Sequence, residues 1–431
     1  MQRYEKYKDS RIDWLGKIPV NWETEKGKWL FIKNERPVLA DYDVITCFRD
    51  GEVTLRKNRR EDGFTNSLKE IGYQGVLKGD LVIHQMDAFA GAIGVSDSDG
   101  KSTPVYSVCS PRVSNVSNYF YAYYLRSMAL AGVISSLAKG IRERSTDFRF
   151  NDFSNLIYPL PPISEQEAIA KFLDDKCEKI DSAIHFKEQQ IEKLKEFRQI
   201  TIHNAVTKGV RHSKGEVVQM KDSGIEWIGK VPEDWEVKRL KYTCLINQKS
   251  LSETTDKNQE LDYVDIGSVS LTHGIEKTES YLFGNSPSRA RRIASVNDTI
   301  ISTVRTYLKA IDFIDESKSK FIFSTGFAIL TPNGVSPKYL ANVVRSNVFT
   351  DQVSFASKGM SYPAINSTDL GCLWIPIPPV SEQKAIITHL QEQTSKIDKA
   401  ISQRQEQIVK LKEYKQSLIN EVVTGKIKVT G

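Results

Sequence analysis

The chain has 431 residues, enough for two to four domains with sizeable cores. Its 40% hydrophobic and 26% charged content is that of a globular protein and excludes a disordered or fibrous one, while a net charge of +6 suits a polyanionic partner without demanding one. No apolar run approaches the roughly 20 residues that cross a bilayer and the N-terminus has no apolar signal core, so a cytoplasmic location is expected.

In chain order, the first recognisable stretch is Asp9-Ser10-Arg11-Ile12-Asp13-Trp14-Leu15-Gly16-Lys17-Ile18-Pro19, with Trp22 beyond it. Its two tryptophans read as packing anchors rather than base-stacking platforms. Short β-branched runs at Asp80 to Gln85 and Ala92 to Val95 are bounded by turn residues, as strands are, and Tyr119 to Ser127 reads as a short helix.

Pro161-Pro162-Ile163-Ser164-Glu165-Gln166 then opens a long helix. Proline cannot occupy a helix interior, Ser164 can cap the free N–H groups that follow, and Glu167 completes a capping box, so the helix is expected to begin at the serine. Glu165 suits the positive end of the helix dipole. Leu173, Cys177, Ile180, Ile184, Ile191 and Leu194 follow at alternating four- and three-residue steps, which is a coiled-coil seam. Such a helix reaches roughly 60 Å.

After a bridge from Gly209 to Gln219 the chain repeats itself. The lead-in returns as Asp222-Ser223-Gly224-Ile225-Glu226-Trp227-Ile228-Gly229-Lys230-Val231-Pro232 with Trp235, an offset of 213. Strands are expected at Tyr263 to Ile266 and Thr299 to Val304, and a helix at Pro337 to Asn347. Pro378-Pro379-Val380-Ser381-Glu382-Gln383 opens the second long helix at an offset of 217, and 23 of 47 positions from Pro161 to Thr207 recur identically from Pro378 to Thr424. Lys384 replaces Glu167, so the second cap should be weaker. The seam recurs as Leu390, Thr394, Ile397, Ile401, Ile408 and Leu411, interrupted by Arg404 and Lys415 where the first copy has Lys187 and Arg198. These charges are expected to set register or snorkel outward.

The fold class is therefore α+β: two tandem mixed α/β domains, each followed by a long helix. The boundaries are 1–160 for the first domain, 161–208 for its helix, 209–219 for the linker, 220–377 for the second domain, and 378–431 for the second helix with the C-terminal tail. Eleven linker residues span at most about 40 Å, so helices that pair must pair antiparallel, as a coiled coil with pseudo-twofold symmetry. Between the matching marks the two domains diverge, which keeps a scaffold while freeing two surfaces to differ.

Catalytic chemistry is not legible. Phosphate-loop, dinucleotide, zinc-protease and nucleophile-elbow motifs are absent, and the five cysteines stand singly with no histidine at metal spacing, so neither catalytic nor metal residues are assigned. Basic clusters are legible. Arg56, Lys57, Arg59 and Arg60 form one, and Arg289, Arg291 and Arg292 another. A further pair sits before each long helix, Lys139-Gly140-Ile141-Arg142-Glu143-Arg144 and Lys358-Gly359-Met360-Ser361-Tyr362-Pro363. A shared lysine there can hold phosphate beside variable base-reading side chains, drawn from Arg142, Arg144 and Tyr362. Arg305 and Tyr307 complete the candidates for DNA contact.

The P-L-P-P-I-S-E-Q and P-I-P-P-V-S-E-Q entries, each leading to I-D-x-A-I and K-L-K-E-[F/Y], together with D-S-x-I-x-W-x-G-x-[I/V]-P at both half starts, resemble the specificity subunit of type I restriction-modification systems. The resemblance covers nearly the whole chain. It implies a non-catalytic, sequence-specific DNA-binding subunit whose two target-recognition domains each read one half of a bipartite, asymmetric site. The helices would space the halves and dock two modification (methyltransferase) subunits, with restriction (translocase/nuclease) subunits added to the complex. No cofactor is expected on this chain; S-adenosylmethionine, ATP and Mg belong to the partners. The competing reading is a non-enzymatic coiled-coil scaffold that binds proteins through its two end domains.

Overall fold

The computed structural model describes residues 2–59, 71–137, 147–211 and 216–429. It comprises two compact units, residues 1–187 with 405–431 and residues 188–404, so each long helix contributes one part to each unit.

The first unit opens with a hairpin of Tyr7–Asp9 against Lys17–Pro19. Its turn accounts for the lead-in motif. The Arg11 N–H donates to Asp9 Oδ1 at 2.8 Å while Arg11 takes a left-handed φ of 59°, and the Ser10 N–H donates to Gly16 O at 2.9 Å. The central sheet is antiparallel, in the order Phe31–Lys33, Tyr106–Pro111, Leu81–His84 and Ile93–Val95. Leu81, Val82 and Ile83 are all fully buried, which explains their continuous apolar run. Helix Asn118–Leu130 packs on this sheet and buries Phe120, Tyr121, Tyr124 and Leu125. Its Tyr121 hydroxyl donates to Pro159 O at 2.9 Å, in the strand Ile157–Leu160 that pairs with Glu23–Lys26.

The second unit repeats this plan. Met220–Asp222 pairs with Lys230–Pro232, and Gly224 stands at the left-handed turn position, φ 71°. The sheet runs Cys244–Ile246, Phe327–Pro332, Thr299–Ser302 and Ile311–Phe313, and helix Pro337–Arg345 packs on it. The Tyr339 hydroxyl reaches Pro376 O at 3.0 Å, as Tyr121 does in the first unit. A second sheet, ordered Glu279–Leu282, Glu260–Val264, Ile322–Ser324 and Ala290–Ile293, contains one parallel pair, Glu260–Val264 with Ile322–Ser324. The strand expected at Tyr263 to Ile266 lies earlier, because the Asp265 carboxylate accepts the Gly267 N–H and turns Ile266–Ser268 into a 3-10 segment.

The long helices run Ile163–Lys208 and Val380–Val423. Each begins one residue before its serine, so the expected serine cap and capping box do not form. The carbonyls of Pro162 and Pro379 accept the first helical N–H groups instead. Within the first unit, Lys187 Nζ donates to Gln407 at 2.8 Å and Lys415 pairs with Asp181 at 2.6 Å. Within the second, Arg404 Nε donates to Gln190 at 2.9 Å and Arg198 lies 3.3 Å from Asp398. Numbers rise on one helix as they fall on the other, so the helix segments pair antiparallel in each unit. The 217-residue repeat maps one set of contacts onto the other, and the interrupting charges act as interhelical register pins. Leu173, Ile180, Ile184, Ile191, Leu390, Ile397, Ile401 and Ile408 are buried in this pairing layer; Leu194 and Leu411 are half-buried.

Candidate nucleic-acid interface

The basic cluster of the first unit is largely spoken for by its own domain. Arg56–Asn58 is a 3-10 turn after strand Val53–Leu55, and Arg56 Nε donates to Thr46 Oγ1 at 3.2 Å. Lys57 pairs with Asp43 at 2.5 Å. Arg59 lies over the Phe48 ring, pairs with Asp50 at 2.6 Å and with Glu52 at 3.0 Å. The Asp50 carboxyl is held below its ordinary range: burial opposes this, but the hydrogen bond from Arg59 and its charge prevail together with the Glu52 N–H. Arg60, Lys139, Arg142 and Arg144 lie outside the described residues.

In the second unit, Arg291 covers the Phe283 ring and donates to Ala290 O at 3.0 Å, while Arg292 is half-buried with its Nε enclosed. Arg289 is exposed beside them.

The structure joins two candidate stretches that the sequence presents separately. The loop after strand Thr299–Ser302 and the loop after helix Asn347–Ala356 are laced together by Ile365 N–H to Thr303 O at 2.9 Å and Thr306 N–H to Pro363 O at 3.3 Å. The hydroxyls of Thr306 and Ser357 meet at 2.9 Å. Lys358 and Ala364 exchange two backbone hydrogen bonds, of 2.8 and 2.9 Å, closing a small loop whose tip holds Gly359 at φ 107°. The platform presents Tyr307, Met360 and Tyr362 at 57%, 102% and 62% exposure, beside Lys358 and Arg305. The Arg305 guanidinium stacks over the Tyr362 ring at 5.2 Å. Arg305 and Lys309 bracket the turn in left-handed conformations, φ 53° and 48°, an uncommon state for residues with a Cβ.

At the matching place the first unit has a 3-10 turn too, Ala88–Ala90, tied by Phe148 N–H to Gln85 O at 3.0 Å as Ile365 is tied to Thr303. Its chemistry differs: Asp87 stands where Arg305 does and pairs with Arg49 at 2.9 Å, and Gly91 takes the place of Lys309. A cleft of about 990 Å³ opens beside this turn, lined by Phe48, Arg49, Arg59, His84, Met86 and Asp87 among others. Burial lowers the His84 pKa, with Asp87 opposing.

The residues that sequence reading missed lie in the S-E-Q entries. Gln166 and Gln383 are buried to 0% and 1% exposure. Gln166 Nε2 donates to Pro161 O and Asn115 O, and its Oε1 accepts the Ser117 N–H; Gln383 donates to Pro378 O and accepts the Ser336 N–H. Each glutamine thus ties a helix entry to the domain before it. Glu382 accepts the Trp235 indole N–H at 2.9 Å and the Arg211 guanidinium at 2.8 Å, and Glu165 accepts Tyr4 and Asn21. Of the four lead-in tryptophans, Trp22 and Trp235 are fully buried, as packing anchors should be, whereas Trp14 is half-buried against Tyr124 and Trp227 is 38% exposed beside Phe355. Repetition of S-E-Q is the signal the sequence offers, and capping by the serine with the dipole preference of the glutamate leaves the glutamine unexplained. Among the described residues no group of acids, histidines and cysteines could hold a metal, and no helix is long and apolar enough to cross a membrane.

A frame used twice, carrying different side chains on equivalent loops, is the plan of a recognition protein rather than of a catalyst. The Type I restriction modification DNA specificity domain matches residues 232–410. The provisionally named MjaX type I restriction enzyme specificity subunit of Methanocaldococcus jannaschii is 25% identical over 96% of this chain and 96% of its own length. Two solved chains share the fold at 16% identity. One, from a study of assembly and conformational transition of the type I R-M system, has a TM-score of 0.70 over 95% of this chain and 99% of its own. The other, the HsdS subunit from Thermoanaerobacter tengcongensis, has a TM-score of 0.54 over 95% and 98%. Residues 232–410 thus carry a type I restriction modification DNA specificity domain, and over nearly its whole length the chain is similar to type I restriction enzyme specificity subunits, which are DNA-recognition subunits and not catalytic ones.

Proposed function

We propose that this chain reads a bipartite, asymmetric DNA site, one half through domain 1–160 and the other through domain 220–377, and positions modification and restriction subunits on it. The observation that carries the reading is one frame bearing Asp87, Ala88 and Phe89 in one copy and Arg305, Thr306 and Tyr307 in the other. An accepting carboxylate and a donating guanidinium at one loop position select different base edges, so the half-sites should differ. The helices Ile163–Lys208 and Val380–Val423 set the gap and carry the docking faces. Phe197 and Tyr414, equivalent under the repeat, are 53% and 49% exposed, which fits one modification subunit for each copy. S-adenosylmethionine, ATP and Mg act on those partners, in the cytoplasm.

The test is co-expression with the neighbouring modification subunit and single-molecule mapping of adenine methylation across the host genome. A split motif that vanishes when this chain is deleted is expected. Methylation that persists unchanged, or a stable complex with no motif, would overturn the reading in favour of a protein-binding scaffold.

A further inference from the structure

Among the described candidate cations, Arg305 has the surroundings that best suit reading a base rather than holding a phosphate. A phosphate contact needs only a charge nearby, and flexible lysines provide it. Guanine recognition needs the planar guanidinium held so that two N–H groups face O6 and N7 together. Arg305 is exposed, its guanidinium is levelled against Tyr362, and no described carboxylate forms an ion pair with it. Its backbone is fixed from both sides, by the left-handed turn and by the Thr306 to Pro363 and Thr306 to Ser357 bonds. Lys57 and Arg59, by contrast, are paired with acids, and Arg291 is bound to its own strand.

We infer that Arg305, oriented by Tyr362, reads a guanine in the half-site of the second domain, with Lys358 beside it on phosphate. This rests on the proposed DNA-reading function. Loss of a bidentate arginine contact corresponds to roughly 5- to 150-fold in discrimination at one base pair.

The test compares complexes assembled with the wild-type chain, Arg305→Ala, Arg305→Lys and Tyr362→Ala. Each is used for methylation mapping, and for binding to duplexes substituted singly along the mapped site. Both Arg305 variants are expected to accept any base pair at one G·C position of one half-site, leaving the other half-site unchanged; Tyr362→Ala should relax the same position more weakly. The lysine variant is the discriminating arm, because it keeps the charge and loses the fork. Should Arg305→Lys keep wild-type selectivity while Arg305→Ala weakens binding to all duplexes alike and lowers the salt slope by about one, Arg305 is a phosphate contact and the inference fails. An unchanged motif in both variants also overturns it and leaves the parent reading standing. A wild-type complex with no split motif overturns both. If a variant abolishes methylation altogether, the duplex series decides: uniform loss rejects the inference, and loss of preference at one position sustains it.

Discussion

Single residues divide into those that hold the frame and those that face outward, and the frame residues should be costly to change. Gln383→Ala leaves the Pro378 carbonyl and the Ser336 N–H without their partner in a buried site, so a destabilisation of about 1–3 kcal/mol is expected in a denaturant titration of the assembled complex. Asp312 is harsher. Its carboxylate, 3% exposed, meets Arg345 at 2.5 Å and Lys318 at 2.9 Å and accepts the Ile275 N–H at 3.1 Å. Asp312→Ala strands the Arg345 guanidinium, while Lys318 keeps Asp315 at 3.7 Å and the Phe313 carbonyl at 3.4 Å; it should cost about 3 kcal/mol, whereas Asp312→Asn, which keeps the shape, should cost less, and the unfolding midpoints of the two variants check the order.

At the scale of elements, the charges on the seam are register pins and not stability reserves. Lys415 and Asp181 are 27% and 57% exposed, so a double-mutant cycle on the pair should return a coupling below about 1 kcal/mol that shrinks in salt. Exchanging the two charges should restore most of any loss. This level is also where the sequence was most legible. The long helices, the strands Leu81–His84 and Thr299–Ser302, and the helix at Asn118–Leu130 follow from periodicity and β-branched runs. The helix starts were displaced by one residue, because the proline carbonyls took the first N–H groups. The seam charges were legible as exceptions, but their partners Gln407 and Gln190 lie far away in sequence. The platform at Arg305 was only half legible: its two loops are more than 50 residues apart, and the Thr306 to Ser357 contact that joins them leaves no periodic trace.

For the whole molecule, two divergent copies of one reading frame predict a divided response. Binding of the assembled complex to its site should weaken steeply with salt, since each neutralised phosphate releases counterions. A slope near zero would speak for a protein-binding scaffold. Replacing residues 303–309 by the corresponding residues of a relative should change one half of the methylated motif and leave the other intact, as read by methylation mapping.

The lacing of the recognition loops uses backbone atoms at its base: Ile365 to Thr303 in one copy, Phe148 to Gln85 in the other. Main-chain bonds of this kind do not depend on which side chains the loop displays. Side chains on these loops can therefore be exchanged by point substitution while the tether that holds each loop is kept. The two display loops are thus interchangeable parts on a fixed mount, and a change of side chain in one leaves the tether of the other as it was.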